Sequence, residues 1–431
     1  MKILISAFNC NPEKGSEDEL GWSWVLQLSQ MGHEVWVITE ANNQPSIEQF
    51  ISKNSLNNLN FYYHNLPVFS FNRWIFKGNK FGIIAMRITV EILLFHWQWG
   101  AYQTAKLLTQ QVAFDCVHHV TNSCVRRYSF MGFLGLPFIL GPLAGGLRTP
   151  WRFRKSYPLM GKILDFGRDL ANSWIQFNPL MHLTFTKASK IYLDSEQTRS
   201  LIPKFYRHKS EVIFNVPPCR MTTIPEGIQR KSTETETFRV LFVGRLLFWK
   251  GLHLGLKAFA QLLDKIPNAR LTALGRGPEE KWLQGLTEQL GIQNAVDWIS
   301  WIDQKELISA YLHHNVFLFP SLHETSGTVV IEALSYGLPV VCLDLGGPGV
   351  IVDETCGRVI KTDGLTEEAM IQRLSDALVE LAENSELRQQ LSERAWAQPT
   401  KFEFKNVVEQ IYSSSVLVEK TLKEAPLDDK S

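Results

Sequence analysis

FRVLFVGR, residues 238–245, is a β-branched and aliphatic run that ends on Gly244 and Arg245. It follows a polar stretch, KSTETET (231–237), and similar runs recur beyond it: ARLTALG (269–275), AVDWIS (295–300), VFLFPS (316–321), PVVCLD (339–344) and GRVI (357–360). Longer helical patterns lie between them. The first half of the chain reads the same way, through KILISAF (2–8), HEVWVIT (33–39), FDCVHHV (114–120), PFILGPL (137–143) and KIYLDS (190–195). Strands that alternate with helices predict parallel α/β sheets. Two such series parted by a polar seam predict two doubly wound, Rossmann-like domains in tandem, facing a central cleft. Ligands of such sheets bind beyond the carboxyl ends of the strands, so the loops there carry the functional reading. The cleft between the domains is the expected active site.

The totals fit this reading. A chain of 431 residues exceeds one compact core and points to two domains. Hydrophobic content of 45% with 20% charged residues is that of a soluble globular protein. A formal charge of +1 argues against a nucleic-acid binder. The six cysteines (Cys10, Cys116, Cys124, Cys219, Cys342 and Cys356) form no CxxC pair and no zinc spacing, and read as free thiols in a reducing compartment. MKILISAFNC at the N-terminus reads as a first strand rather than a signal peptide. The apolar stretch 81–99 is interrupted by Arg87, Glu91 and His96, and reads as a buried or interfacial helix rather than a membrane span. Residues 367–417 form a helix-rich, amphipathic tail.

Four loops stand out. HETSGTVVIE (323–332) sets Glu324 beyond the strand VFLF and Glu332 inside the following helix. Gly327 and Thr328 fall near that helix's N-terminus, whose free N–H groups and dipole suit a phosphate. A phosphate docked there leaves Glu332 near a ribose and Glu324 near a sugar, and carboxylates accept hydrogen bonds from hydroxyl pairs. VGRLLFWKG (243–251) brackets a helix start with Arg245 and Lys250, a fork and a point charge that can neutralise a diphosphate. LGRGPEE (274–280) makes a Gly275–Gly277 turn suited to close approach of a nucleotide. In the first half, Gly15 and Ser16 precede the acidic first turn Glu17, Asp18 and Glu19, and Gly15 lets backbone approach a phosphate or sugar. Solvated cations and a capped turn are the ordinary alternatives. The loop is not GxGxxG, so a nicotinamide fingerprint is unsupported.

These residues, with GR-x4-KG at 244–251, GRGPEEKWLQGLTEQLG at 275–291, HETSGTVVIEALSYGLPVV at 323–341, LGGPG at 345–349 and TCGRVI at 355–360, resemble the retaining group 1 glycosyltransferases of the GT-B fold, glycosyltransferase family 4. GSEDELGWSWVLQLSQMGHEVWVIT (15–39) and YLDSEQTR (192–199) extend the resemblance into the first half. It implies an acceptor-binding domain over 1–215, to which a C-terminal helix near 403–420 returns, and a donor-binding domain over 216–402. It implies that Arg245 and Lys250 bind the donor diphosphate, that Glu332 holds the ribose and that Glu324 contacts the donor sugar. Gly327, Thr328 and Val329 would lend N–H groups to the phosphates, with Gly244, Gly275 and Gly277 lining the donor and Gly15 facing it. His118 or His119 would fill the active-site histidine position, one of the pair pointing into the cleft because strand residues alternate. The chain departs from the family at Arg276, His253, Ser326, Gly349 and Val350, and in the linker FNVPP (214–218).

The implied activity moves a hexose from a nucleoside-diphosphate sugar, with UDP- and GDP-sugars expected, to an acceptor hydroxyl with retention. No metal or cofactor is expected, and the chain has no Asp-x-Asp pattern. The acceptor is a sugar, a lipid-linked saccharide or a glycolipid in polysaccharide, glycolipid or glycoconjugate synthesis. The expected location is the cytoplasm, with peripheral contact at the inner face of a membrane. Aromatics mixed with cations read either as partly buried rings with snorkelling cations or as a surface for that contact: Trp74, Phe76, Lys77, Lys80 and Phe81, then Trp151, Arg152, Phe153, Arg154, Lys155 and Tyr157. A catalytically degenerate nucleotide-sugar binder and a nucleotide-sugar epimerase of the same architecture are the competing readings.

Overall fold

The structure, a computed structural model, describes residues 1–15, 17–54, 56–65, 80–216 and 237–413, with side chains from residue 89 onward in the third helix. Ser16, Trp74, Phe76, Lys77, Cys219, residues 231–236 of the polar seam, the end of FNVPP and the tail beyond 413 lie outside that description, as do the side chains of Lys80 and Phe81. The chain divides into two compact units. Unit 1 comprises Met1–Gly146, Asn172–Pro218 and Phe404–Ser431, and unit 2 comprises Leu147–Ala171 and Cys219–Glu403.

Unit 1 holds a seven-stranded parallel sheet of β1 (Lys2–Ser6), β2 (Glu34–Glu40), β3 (Leu59–His64), β4 (Cys116–His119), β5 (Phe138–Leu143), β6 (Lys190–Leu193) and β7 (Ser210–Val212) in the order β3-β2-β1-β4-β5-β6-β7. The strands are nearly continuous apolar runs because both faces are covered. One face packs on α1 (Glu17–Gln30) and on α14 (Phe404–Ser413), through Trp24, Val25 and Leu28 against Phe404, Val408, Ile411 and Tyr412. The other packs on α3 (Lys80–Leu108), through Trp97, Ala101, Ala105 and Leu108. The stretch 81–99 is thus part of a helix docked on a sheet, and no helix among the described residues is long and apolar enough to cross a membrane.

Unit 2 holds a six-stranded parallel sheet of β8 (Arg239–Val243), β9 (Arg270–Leu274), β10 (Val296–Ile299), β11 (Val316–Phe319), β12 (Val340–Leu343) and β13 (Gly357–Ile360), ordered β10-β9-β8-β11-β12-β13. Strand order reverses between β8 and β11, so the crevice at their carboxyl ends is the topological switch point where doubly wound folds bind ligands. Connections run through α7 (Leu252–Leu263), α8 (Glu280–Gln289), α9 (Gln304–His313) and α10 (Thr328–Ser335), and α12 (Glu367–Glu383) follows the last strand.

One assignment differs from the sequence expectation of a single 1–215 domain. Residues 147–171, including most of α4 (Leu159–Trp174), group with unit 2. Polar contacts made more than a hundred residues away hold them there. The buried Glu367 of α12 accepts from the Ser156 hydroxyl and from Lys257 at 3.2 Å, and Lys155 pairs with Glu368 at 2.6 Å. Tyr157 packs on Phe248 with ring centroids 4.8 Å apart. Phe153 and Tyr157 are therefore core residues, and Arg154 is tied to Asp165 at 2.8 Å and Asp169 at 2.7 Å. These three follow the buried reading of the stretch rather than the lipid-docking one.

The docking of α14 on unit 1 can be tested through Tyr412, whose hydroxyl lies 2.8 Å from His118 Nδ1 in the buried core. Tyr412→Phe leaves that nitrogen without a partner and is expected to destabilise unit 1 by about 1–3 kcal/mol in urea unfolding. A change within a few tenths of a kcal/mol would show that α14 contributes by apolar contact alone.

Candidate functional site

The switch point of unit 2 is framed by loops stitched together through their main chains. The loop after β8 meets the loop after β11 where Leu322 N–H donates to Trp249 O at 2.9 Å. Gly251, at φ +72°, is the hinge, because a Cβ there would lie 1.8 Å from Pro320 O. The loop after β12 closes on the same segment: Gly347 N–H donates to Glu324 O at 2.9 Å, and a Cβ on Gly346 would lie 1.9 Å from that oxygen. Gly275 and Gly277 serve the same end. Their Cβ atoms would strike Gly244 O at 1.9 Å and Leu246 O at 2.2 Å, so these glycines seat the loop after β9 on the loop after β8. Gly244 is different, with no contact tighter than ordinary van der Waals distance.

On this frame Lys250 and Glu324 form an ion pair, both largely buried, with Lys250 Nζ 5.4 Å from the Phe319 ring centroid. Gly327 takes the left-handed conformation at the N-cap of α10, and no side chain caps the helix. The N–H groups of Thr328 and Val329 thus find no acceptor among the described residues, which leaves the positive end of the helix dipole open. One turn on, Glu332 accepts a hydrogen bond from the Tyr311 hydroxyl at 2.8 Å. Arg245 stands exposed on the loop after β8. Two cations, open N–H donors and two carboxylates therefore gather at the ends of β8 and β11. That set suits a diphosphate flanked by hydroxyl-bearing rings. The sequence reading missed Tyr311, which sits on the helix before β11 and fixes the orientation of Glu332. No local signal marks it, since the bond spans 21 positions.

In unit 1 the adjacent histidines alternate as a strand requires, yet neither ring opens to solvent. His118 donates from Nε2 to Gly141 O at 2.7 Å, so its Nδ1 accepts from Tyr412. His119 Nε2 accepts from the Gln98 amide at 3.3 Å and its Nδ1 donates to Ser6 Oγ at 3.1 Å. Burial holds both neutral, pushing His118 down to about 3 and His119 to about 4. Strand β4 is interior at both positions, with one histidine on each face of the sheet. Gln98 lies between His119 and a small cavity of about 120 Å³ lined by Glu91, Gln98, Asn122, Arg126, Arg127 and Tyr128. Its buried Oε1 has no hydrogen-bond partner among the described residues. Gly15 is exposed on the loop after β1, and a Cβ there would meet only the Glu19 carboxylate, at 4.0 Å.

Residues 224–398, which carry every element of the unit 2 site, match the family model of the glycosyl transferases group 1. These residues belong to that family. A D-inositol 3-phosphate glycosyltransferase of Corynebacterium urealyticum is 33% identical over 219 residues, covering 47% of this chain and 50% of that protein. A 2-deoxystreptamine N-acetyl-D-glucosaminyltransferase of Niallia circulans is 31% identical over 146 residues, covering 33% and 37%. The chain spans about half the length of the curated relatives it matches. Solved structures extend the likeness of fold to the whole chain. Sucrose-phosphate synthase from Thermosynechococcus elongatus superposes with a TM-score of 0.62 at 15% identity, over 98% of this chain and 99% of that one. WaaG, a glycosyltransferase involved in lipopolysaccharide biosynthesis, gives 0.57 at 18% identity, over 95% and 98%. Anabaena HepE in complex with UDP and glucose gives 0.57 at 17% identity, over 98% and 99%. The chain has the two-domain GT-B fold.

Within this group 1 domain, the departures from the family pattern have physical settings. Arg276 is exposed on the turn seated against the Arg245 loop, where it adds positive charge. His253 is fully buried beside Trp282 and Tyr157, with ring centroids 5.2 and 5.7 Å away, and neither nitrogen has a hydrogen-bond partner among the described residues. Burial, with Lys257 nearby, pushes it down to about 3. An unfolded histidine titrates near 6.5, so below that pH the unfolded chain binds a proton that the folded ring refuses. Stability is then fully present above about pH 6.5 and falls as the pH drops toward 3, by about 1.4 kcal/mol per pH unit for each such ring. His253→Leu is expected to hold or raise stability at pH 7, because it removes two unpartnered buried nitrogens, and to flatten the loss between pH 6.5 and 4.5. Urea unfolding across that range gives the slopes, and equal slopes in both proteins would refute the assignment.

Proposed function

We propose that this protein is a retaining, metal-independent glycosyltransferase that moves a hexose from a nucleoside-diphosphate sugar to an acceptor hydroxyl. The observation that carries the reading is the open N-terminus of α10 beside the Lys250–Glu324 pair at the switch point of a group 1 domain. In this reading the donor diphosphate takes the Thr328 and Val329 N–H groups together with Arg245 and Lys250, while Glu332 holds the ribose hydroxyls. Lys250 leaves Glu324 for the phosphates, which frees Glu324 to accept hydrogen bonds from the donor sugar. The bond from the anomeric carbon to the leaving phosphate breaks, the acceptor oxygen bonds to that carbon, and a phosphate oxygen takes the acceptor proton. Charge grows on the leaving phosphate, so the two cations and the helix terminus do most of the catalytic work. Gly15 offers open backbone from unit 1, and His119, acting through Gln98, is a positioning residue. The UDP and glucose held by HepE, which shares the fold, make UDP-glucose the first donor to try. A lipid-linked or glycolipid acceptor would bring the enzyme to the inner face of a membrane.

Thermal-shift titration with UDP, GDP, ADP, dTDP and their sugars tests the donor site without knowledge of the acceptor. One nucleotide is expected to stabilise the wild type, and Lys250→Ala to abolish that shift. No shift with any nucleotide at millimolar concentration would remove the donor assignment. With the donor identified, turnover is expected to survive EDTA and to fall about 10²–10³-fold in Lys250→Ala. Tight binding with no turnover across many acceptors would instead favour the degenerate reading.

A further inference from the structure

The most unusual surface on the molecule is α4. Leu159, Ile163, Phe166, Leu170 and Trp174 are 75, 55, 68, 64 and 60% exposed, and their spacing of three and four places them in one stripe along the helix. The opposite side of the same helix is ionic and faces inward. Asp165 is buried and paired with Arg154 at 2.8 Å and with Arg168, and Asp169 pairs with Arg154 at 2.7 Å. This helix is therefore amphipathic in the inverted sense, apolar outward and charged inward. Scattered surface leucines need no explanation, but a continuous stripe of five large apolar side chains does.

The charges around the stripe indicate its partner. Both acids of α4 are turned to the interior network, whereas Lys162, beside the stripe, is exposed. Arg152 is exposed too, 5.9 Å above the Trp151 ring, and Trp151 is itself 77% exposed. Neither Lys162 nor Arg152 has an acidic partner among the described residues. Tryptophan stands before the helix and at its end, the placement such rings favour at a membrane–water interface. Sixteen residues make a rod of about 24 Å, which lies flat in an interface but does not cross a bilayer. We infer that α4 is an in-plane membrane anchor whose apolar stripe enters a bilayer and whose flanking cations meet anionic headgroups. This deepens the peripheral membrane contact of the proposed function but rests on α4 alone, so a failed donor assignment leaves it standing.

Flotation of the full chain with vesicles of pure phosphatidylcholine, and of phosphatidylcholine with about a third phosphatidylglycerol, tests it. The wild type is expected to float with the anionic vesicles and to bind them less at high salt. Phe166→Glu with Leu170→Glu is expected to lower the bound fraction at least about tenfold. Lys162→Glu is expected to weaken binding to anionic vesicles only. Both changes lie on exposed positions, so an unchanged melting temperature confirms folding. Absence of flotation with either vesicle would overturn the proposal, as would flotation unaffected by the paired glutamates. So would a dimer in solution that the same glutamates convert to monomer, because a second copy would then cover the stripe.

Discussion

Repeatedly at the carboxyl edge of the unit 2 sheet, two main chains lie closer than any side chain permits. Gly251 faces Pro320 O, Gly275 faces Gly244 O, and Gly346 faces Glu324 O, each with space for a hydrogen only. This contact fixes the loops after β8, β9, β11 and β12 relative to one another without depending on rotamers. Everything assigned to the donor hangs from these loops: Arg245 and Lys250 on the first, Glu324 and the start of α10 on the third. Backbone packing of this sort is how a site made of loops acquires the rigidity that charge stabilisation needs. The glycines at 275 and 277 thus seat the frame on which those loops stand.

The Lys250–Glu324 pair gives this frame a resting state. Each charge is largely shielded from water, and each is satisfied by the other. Removing one partner alone leaves an uncompensated charge, which is the costly case. A diphosphate brings more negative charge than one carboxylate, and it arrives beside N–H groups already aimed outward, so the exchange of partners is favourable for Lys250. In the proposed function Glu324 is released by such an exchange, and sugar recognition is then coupled to phosphate binding through a single lysine.

Much of this was legible in the sequence because it is local. Apolar runs spaced by helical patterns marked eleven of the thirteen parallel strands described in the two sheets, and left out the edge strands β3 and β7. The Gly-Arg and Lys-Gly pairs, and the two glutamates of HETSGTVVIE, fall at strand ends by their position in that alternation. What was not legible depends on partners far along the chain. Alternation showed that His118 and His119 face opposite ways, but it could not show that α3 and α14 cover both faces of their strand. Tyr311, which orients Glu332, belongs to a different helix, and residues 147–171 join unit 2 through Glu367 and Glu368.

The same limit explains why the sequence did not show which face of α4 is exposed. Its hydrophobic periodicity is that of any surface helix, and periodicity states that two faces differ without saying which one is buried. The usual assumption, apolar inward, is overturned here by Asp165 and Asp169 meeting Arg154, and Arg168 meeting Asp165, beneath the helix. Buried ion pairs contribute little net stability compared with apolar packing of the same volume. A network of them is therefore a poor choice for simply holding a helix down, since turning α4 by half a turn would bury five apolar side chains instead. What the network does supply is orientation, because each charge must find its partner and only one rotation of the helix allows it. A helix held apolar side out by its own charges is arranged for a partner that is itself apolar.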